Sequence, residues 1–445
     1  MENIVENAAT TEIQVDKKQL KKEKRKKRRK RARKVLLVLL IILVAFILIT
    51  TVITVISKKS LINKVHQFSK VDVEPLEFEY YDNGCINIFS DDGLKVVQLT
   101  DVHIGGGWMS TKKDSMAVNA VAAMITAEKP DLVVVTGDVS YPVPFQAGTF
   151  NNKTSAEIFA EMMESLGVYW TVCYGNHDTE LYSYYSREQI TDFYSSDRFP
   201  HCLLQAGPEE VDGVGNQVIN IVNSDGIITR SLIMLDSHTY VDGDYFGILW
   251  KYDNIHQNQV DWYAKTVDEL SAKNKETVSK LDESKKSQYA SLETVPTSLF
   301  FHIPLTEYKD AWTEYVDNGY KDTENVKYNY GTIGESGKLI YCGIHEDELF
   351  ETMQKKGSTD SVFCGHDHLN CLSVNYKGIN LTYGMSVDYL AYSGIYKLGR
   401  QRGCTVINIS ADGKIDFHPE NYYQEKYISY YDKEPVTMQQ LGHLD

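Results

Sequence analysis

The chain has little positive charge outside its first 59 residues. Of its 46 Lys and Arg residues, 16 precede residue 60, which leaves 30 basic against 56 acidic residues in 60–445. A body this acidic is a poor general binder of the nucleic-acid backbone, so no nucleic-acid partner is expected. With 445 residues, 42% of them hydrophobic, the chain can form one large α/β domain with insertions or two to three smaller domains.

Cysteine is also scarce, with seven residues and no Cys-X-X-Cys pair. An odd, scattered set of this kind excludes a disulfide framework, even in an oxidising compartment. Cys173 and Cys364 lie inside apolar runs, which favours buried free thiols, whereas one or two disulfides among the other five are left open. The sequence has no internal repeat.

The first 56 residues combine a basic run with a long apolar run. Residues 17–34 hold 14 Lys or Arg and one acid, and residues 35–56 contain no charge, proline or glycine. As a helix the apolar run spans about 33 Å, against about 30 Å for the hydrocarbon core of a bilayer. A cleaved signal peptide fits less well, because its apolar region is shorter and no convincing cleavage site follows. A nuclear-localisation or nucleic-acid-binding arm explains only the basic run.

We therefore predict a single-pass protein of the cell membrane, with residues 1–34 as a cytoplasmic basic tail and residues 35–56 as a transmembrane helix. The excess of basic residues before the apolar run places the N-terminus in the cytoplasm, so the body is extracytoplasmic. Residues 57–75 are expected to form a juxtamembrane tether, and residues 76–445 a single large domain that opens with a hairpin around Asp82-Asn83-Gly84.

The first half of the body alternates between buried strands and helices. Strands are predicted at 94–100, 131–136 and 168–174, with helices at 115–129 and 154–166 between them. Such a βαβαβ unit forms parallel strands, whose carboxyl ends meet at one edge of the sheet. Four polar residues follow these strands: Asp101, His103, Asp138 and Asn176.

The second half repeats this pattern with longer connections. The predicted strands and hairpins are 217–222, 231–236, 298–303, 361–365, 372–384 and 404–418. Residues 258–290 are predicted as one helix whose charged second part is solvated. The strand ends are expected to bring His302, His366 and His368 to the same region.

Seven side chains at these strand ends offer metal-ligand atoms from four imidazoles, two carboxylates and one amide. They are Asp101, His103, Asp138, Asn176, His302, His366 and His368. A mixed nitrogen and oxygen set suits Fe, Mn or Zn and is too rich in imidazole for Ca or Mg. Seven ligands exceed the need of one ion, whereas two divalent or trivalent ions that share a carboxylate would use them all.

These residues fall in five motifs: Asp101-Val102-His103, Gly137-Asp138, Gly175-Asn176-His177-Asp178, His302 and Gly365-His366-Asp367-His368. In this order they resemble the motifs of the calcineurin-like metallophosphoesterase superfamily, over roughly residues 94–410. The segments QLTDVHIGGG, FFHIPLTEY and CGHDHLN are similar to its purple-acid-phosphatase-like branch. The resemblance implies an α/β fold, a four-layer α/β/β/α sandwich with two mixed sheets, for the domain 76–445.

The resemblance also implies a role for each site residue. The implied ligands are Asp101, His103 and His368 for one ion, Asn176, His302 and His366 for the other, and Asp138 for both. His177 would stabilise the transition state and protonate the leaving oxygen, and Asp178 would orient His177.

The chain departs from true purple acid phosphatases at one position. Residues 137–141 (GDVSY) fit the pattern in which a tyrosine binds ferric iron, but those enzymes lack a histidine at the position of His103. Both side chains would compete for one place on the metal. We predict that His103 is the ligand and that Tyr141 packs nearby, which puts a ferric charge-transfer colour in doubt.

These features predict a membrane-anchored hydrolase that cleaves phosphate esters with metal-activated hydroxide at a binuclear centre. A phosphodiesterase or pyrophosphatase acting on nucleotides, lipids or envelope polymers is the alternative, because the motifs serve mono- and diesters equally. A catalytically inactive membrane-bound binding protein is a further alternative, against which the complete ligand set counts. Two features stay ambiguous: His238 is a substrate contact or an ordinary loop histidine, and Gly105-Gly106-Gly107 admits a phosphate or is simply flexible.

Overall fold

The structure is a computed structural model that describes residues 2–82, 84–241, 243–244, 247–392, 394–395, 402–431, 433 and 436. The chain divides into two compact units, residues 1–56 and residues 57–445. Helix α1, Glu2–Val65, contains the apolar segment 35–56 and is long and apolar enough to cross a membrane. A signal sequence near an N-terminus meets the same criteria of length and composition.

The second unit contains the strands and the other helices. The strands are β1 Glu77–Tyr81, β2 Cys85–Phe89, β3 Leu94–Leu99, β4 Leu132–Thr136, β5 Tyr169–Cys173, β6 Gln217–Val222, β7 Ile228–Met234, β8 Thr297–Phe300, β9 Val326–Tyr330, β10 Thr359–Cys364, β11 Ser373–Tyr376, β12 Ile379–Tyr383, β13 Gly403–Ile409 and β14 Ile415–Asn421. The helices are α2 Thr111–Glu128, α3 Asn152–Leu166, α4 Arg187–Tyr194, α5 Gln257–Ser279, α6 Glu283–Tyr289, α7 Thr306–Asp317 and α8 Leu349–Lys356. Two short 3₁₀ helices occupy Ala290–Glu293 and Ser336–Lys338.

The strands form two mixed sheets. The larger has the order β1-β2-β6-β7-β8-β10-β12-β11-β9, and the smaller has the order β14-β13-β3-β4-β5. In the smaller sheet β3, β4 and β5 are parallel, with Val96 opposite Leu132 and Val133 opposite Trp170, whereas β13 is antiparallel to β3 and β14. In the larger sheet β7, β8, β10 and β12 are parallel. The predicted βαβαβ unit with parallel strands is therefore confirmed.

Apolar cores on both faces of each sheet explain why the central strands are almost continuously hydrophobic. In β4, for example, Leu132 and Val134 face the core between the two sheets, whereas Val133 and Val135 face the core shared with α2 and α3. On the larger sheet a third core packs β-strand residues against α5, α7 and α8. Two sheets with helices on both outer faces form the four-layer sandwich that the resemblance implied.

The body begins earlier than the sequence indicated. Residues 57–71, predicted as part of a tether, belong to the second unit, and Leu61, Val65, Phe68 and Val71 are buried in the core with α2 and α3. Their spacing of three or four residues is that of one helix face. The stripe is only four residues long, so the sequence pattern did not separate it from a linker.

The single helix predicted for 258–290 is wrong in its middle, because the chain forms α5 and α6 with a break between them. The side chain of Asp282 accepts a hydrogen bond of 3.0 Å from the backbone N–H of Lys285 and so caps the start of α6. α6 has no buried residue, as predicted for the solvated part. Cys173 and Cys364 are buried free thiols, as predicted.

Candidate metal centre

The seven predicted ligands are all buried and follow the carboxyl ends of β3, β4, β5, β8 and β10. Four of them, Asp101, His103, Asp138 and His366, have positive backbone φ angles of 50°, 52°, 55° and 78°. A left-handed conformation costs a non-glycine residue about 1–3 kcal/mol, and such strain persists where the surrounding fold imposes it, often at functional sites. The fold thus keeps these residues in a left-handed conformation, and their polar side chains point into the protein.

One group of ligands surrounds the carboxylates of Asp101 and Asp138. His103 Nε2 lies 3.1 Å from Asp138 Oδ2 and 3.9 Å from Asp101 Oδ1. His368 Nε2 lies 3.5 Å from Asp101 Oδ1. One ligand atom from each of the four residues lies within 4.8 Å of the others, a spacing that allows all four to hold one ion.

A second group adjoins the same oxygen of Asp138. His302 Nε2 lies 3.2 Å from Asp138 Oδ2 and 3.2 Å from Asn176 Oδ1. His366 Nδ1 lies 3.3 Å from His302 Nε2. Asp138 Oδ2 therefore contacts a histidine of each group, which is the position of a carboxylate that two ions can share.

Contacts on the far side of each ring determine which imidazole nitrogen faces the centre. His302 Nδ1 donates to the backbone carbonyl of Thr136 at 2.8 Å. The Nδ1 atoms of His103 and His368 lie 3.4 Å and 3.2 Å from the two carboxylate oxygens of Asp388. Each Nε2 atom is thereby directed toward the centre, and carboxylate or carbonyl partners of this kind orient histidines that bind metal.

Asp388 is fully buried, and no sequence motif pointed to it. Its Oδ1 accepts hydrogen bonds from the backbone N–H groups of Leu390 (2.6 Å) and Ala391 (2.9 Å). Burial alone would raise the pKa of this carboxyl, but the charge of His103 holds the pKa well below its usual range. Asp388 is thus an ionised carboxylate that positions two of the ligand histidines.

The donor set fits metal ions better than it fits hydrogen bonding. Asp101 Oδ1 is buried without a hydrogen bond, whereas its Oδ2 accepts from the Thr100 hydroxyl and the His366 backbone N–H. Burial and the charge of His302 hold the pKa of His366 well below its usual range, so its ring is neutral. A buried carboxylate oxygen without a proton donor and a neutral imidazole in the same site are the donors that a cation binds.

His177, the predicted proton donor, borders the ligands. Its backbone N–H donates to Asp138 Oδ1 at 2.8 Å, and its ring lies edge-on to His103 with centroids 5.5 Å apart. Its Nδ1 lies 2.7 Å from Glu180 Oε1, and Glu180 is buried. Glu180 therefore orients the ring and leaves Nε2 for a reacting group.

The role predicted for Asp178 is wrong, because its carboxylate contacts backbone rather than the His177 ring. Oδ2 accepts from the N–H groups of Asp138 (2.9 Å) and Gly175 (2.8 Å), and Oδ1 accepts from Ser140 N–H (2.8 Å). These bonds tie the loop after β4 to the loop after β5. Asp178 thus supports the backbone at Asp138 and not the ring of His177.

Tyr141 and His238 both lie outside the ligand set. The ring of Tyr141 stacks on His103 with centroids 4.6 Å apart and planes at 16°, and its hydroxyl donates to Gln146 at 2.7 Å. His238 Nε2 lies 2.9 Å from Gln259 Oε1, and its ring stacks on His256. Tyr141 therefore supports His103 by packing, as predicted, and His238 belongs to a separate histidine pair.

The family model of calcineurin-like phosphoesterases matches residues 94–370, more than half of the chain. The chain belongs to the calcineurin-like phosphoesterase family. All seven ligands and His177 lie within the matched residues, whereas Asp388 lies beyond them.

Curated relatives of this calcineurin-like phosphoesterase come from a plant and a yeast. Probable inactive purple acid phosphatase 29 of Arabidopsis thaliana is 27% identical over 73% of this chain and 79% of its own length. Probable inactive purple acid phosphatase 14 of the same plant is 27% identical over 69% and 74%. Phosphatase DCR2 of Saccharomyces cerevisiae is 28% identical over 63% of this chain and 45% of its own. Among solved structures, a dimetal phosphatase from Danio rerio aligns with a TM-score of 0.45 at 10% identity, over 75% of this chain and 98% of its own.

Proposed function

We propose that the chain is a membrane-anchored hydrolase that cleaves phosphate esters at a centre of two metal ions, of Fe, Mn or Zn. One observation carries the proposal: Asp138 Oδ2 lies 3.1 Å from His103 Nε2 and 3.2 Å from His302 Nε2. A carboxylate oxygen between two inward-facing imidazoles is the arrangement that a pair of ions requires.

The two groups of side chains supply the ligands of the two ions. Asp101, His103 and His368 would hold one ion, Asn176, His302 and His366 would hold the other, and Asp138 would contribute to both. When bound, the ions activate water for attack on phosphorus and neutralise charge on the phosphoryl oxygens.

The proton for the leaving oxygen comes from His177, which Glu180 keeps in position. The Tyr240 hydroxyl links this pair to the ligands, because it accepts from Asn176 Nδ2 at 2.9 Å and donates to Glu180 Oε1 at 3.2 Å. The first bond also fixes the amide of Asn176 with its oxygen toward His302. Ligand geometry and proton donor are therefore coupled through one partly buried hydroxyl.

The anchor is the apolar segment 35–56 of α1. The 14 basic residues at 17–34 hold the N-terminus in the cytoplasm, which places the second unit on the extracytoplasmic side of the cell membrane. Protection of the second unit from protease added to intact cells would contradict this topology.

The test is to purify the full chain, measure bound metal, and assay a phosphate monoester and a phosphate diester. We expect two ions per chain and hydrolysis of at least one ester. Asp138→Asn should lose metal and lower kcat by more than about 100-fold, because it removes a shared ligand. Mutation of a residue that only hydrogen-bonds to a metal ligand already lowers metal affinity or activity about 10- to 100-fold.

His418→Ala is the matched control, since His418 lies on β14 with its side chain 46% exposed and should change neither metal content nor kcat. Two bound ions without hydrolysis of either ester would contradict the proposal and favour an inactive binding protein. Faster cleavage of the diester would make the chain a phosphodiesterase rather than a monoesterase.

A further inference from the structure

Large apolar side chains are exposed on the loops that surround the metal centre. We call this set the apolar rim; its members are Met109, Phe145, Phe150, Leu181, Tyr184, Ile248, Leu249 and Trp250. They lie on the connections that follow β3, β4, β5 and β7, at the end of the sheets where the ligands cluster. Exposed apolar groups gathered in one region mark interaction surfaces for proteins or membranes.

Three of the four loops of the rim, those after β3, β4 and β5, also lack exposed charge, whereas the loop after β7 carries the exposed Lys251. Residues 105–110 and 139–151 contain no charged side chain, and the one charged residue in 179–186 is Glu180, which is buried. This contrasts with 56 acidic residues among residues 60–445. The part of the rim on these three loops therefore carries no pattern of exposed charges with which to recognise a charged partner surface.

The chain enters the second unit at this same end. α3 begins next to the loop after β4 and ends before β5, so it runs away from the ligands. Lys58 pairs with Glu157 in the first half of α3, and the backbone N–H of Val71 bonds the carbonyl of Leu166, its last residue, at 2.8 Å. Residues 58–71 thus run along α3 away from the centre, and the residues that directly follow the apolar segment 35–56 lie at the ligand end.

We propose that the apolar rim rests on the lipid surface of the membrane, so that the centre acts on phosphate esters carried by membrane lipids. The inference rests on the proposed function and on the anchor. A lipid surface fits better than a protein partner, because the residues that directly follow the apolar segment 35–56 lie at the ligand end of the second unit. Aromatic and aliphatic side chains such as those of the rim are also the ones that proteins insert at membrane interfaces.

Contact with lipid is measured without reference to activity. The full chain is reconstituted in phosphatidylcholine vesicles with brominated acyl chains, which quench tryptophan at the bilayer. Trp250 is 62% exposed, and its fluorescence is obtained by subtracting the fluorescence of Trp250→Phe from that of wild type. We expect most of this difference signal to be lost in brominated vesicles; an unquenched Trp250 would overturn the docking and leave a protein as the partner of the rim.

The substrate class is tested with phosphatidic acid in the vesicles and p-nitrophenyl phosphate in solution. Phe145→Asp combined with Leu181→Asp should lower phosphatidic acid hydrolysis at least about tenfold, because two apolar contacts with lipid are lost. Hydrolysis of the soluble ester should stay within about twofold, which also reports that the variant folds. Ile428→Asp is the control, since Ile428 is 80% exposed, comparable to Phe145 at 89%, but lies outside the rim.

The outcomes separate this inference from the proposed function. Quenching of Trp250 with equal losses on both esters would overturn the lipid substrate class. Failure of wild type to hydrolyse either ester would contradict the proposed function, while the quenching would still decide whether the rim contacts lipid.

Discussion

Glu180 Oε1 lies 2.7 Å from Nδ1 of His177, so a buried carboxylate holds the ring that borders the ligands. Two residues earlier, Asp178 is equally buried but is used by backbone N–H groups. Of these two neighbouring carboxylates, one therefore contacts the His177 ring and the other contacts the backbone of two loops.

Glu180→Gln keeps an acceptor for His177 but removes the negative charge that stabilises its protonated ring. We expect kcat for an alkyl phosphate, whose leaving oxygen needs a proton, to fall about 10- to 100-fold, since general acids contribute 10²–10⁴. For p-nitrophenyl phosphate, which has a good leaving group, the fall should be less than about threefold. Asp178→Asn should instead lower both rates alike, and equal losses in Glu180→Gln would show that Glu180 only supports the fold.

Asp388→Asn tests the carboxylate that faces both His103 and His368. Asparagine presents one oxygen and one N–H₂ group, so it cannot accept from both Nδ1 atoms. We expect affinity for one of the two ions to fall about 10- to 100-fold, as for other partners of ligand histidines. Metal titration of the purified protein measures this directly. Unchanged affinity for both ions would mean that packing alone orients the two rings.

The ligands were predictable because each lies a few residues from a strand that is itself evident in the sequence. β3, β4 and β5 are apolar runs, and parallel strands must bring their carboxyl ends together, so Asp101 and Asp138 meet by topology. Asp388 was not predictable in this way, because it follows β12 in an irregular stretch and reaches its two histidines only through the tertiary fold.

The sequence also did not indicate which of Asp178 and Glu180 contacts the His177 ring, for a different reason. Both belong to one turn after β5, and which carboxylate faces the His177 ring depends on the path of that turn. The burial of residues 61–71 was missed because the pattern is short, and the break before α6 because the charged residues on both sides favour helix. Each failure concerns contacts that local periodicity does not encode.

The contacts of Asp114 show that the loop Gly105-Gly106-Gly107 is held in place, and its raised pKa makes the stability of the protein depend on pH. Its carboxylate accepts from the N–H groups of Gly105 (2.8 Å) and Gly106 (3.0 Å) and from the Ser110 hydroxyl (2.7 Å), so the loop is held. Burial raises the pKa of Asp114 from 3.8 to about 6, against the opposing effect of these bonds and of Lys113.

A raised carboxyl pKa means that the folded state binds the proton more tightly than the unfolded state. The stability from this group is therefore largest below about pH 4 and is lost as the pH rises through about 6, by roughly 3 kcal/mol. Asp114→Asn does not titrate, so the stability of wild type relative to Asp114→Asn should fall by this amount between pH 4 and pH 7. Urea unfolding of the full chain in detergent measures it, and a constant difference across this range would contradict the burial effect.

Tyr141→Phe separates packing from metal binding at the position where purple acid phosphatases place a ferric ligand. The Tyr141 hydroxyl donates to Gln146, and its ring stacks on His103. Phenylalanine keeps the stacking and loses one hydrogen bond, worth about 1 kcal/mol. We therefore expect two bound ions, kcat within about threefold of wild type, and no visible charge-transfer band in either protein. Tyr141→Ala should weaken metal binding, because His103 loses the ring that supports it. A visible band present in wild type and absent in Tyr141→Phe would instead make the tyrosine a ligand.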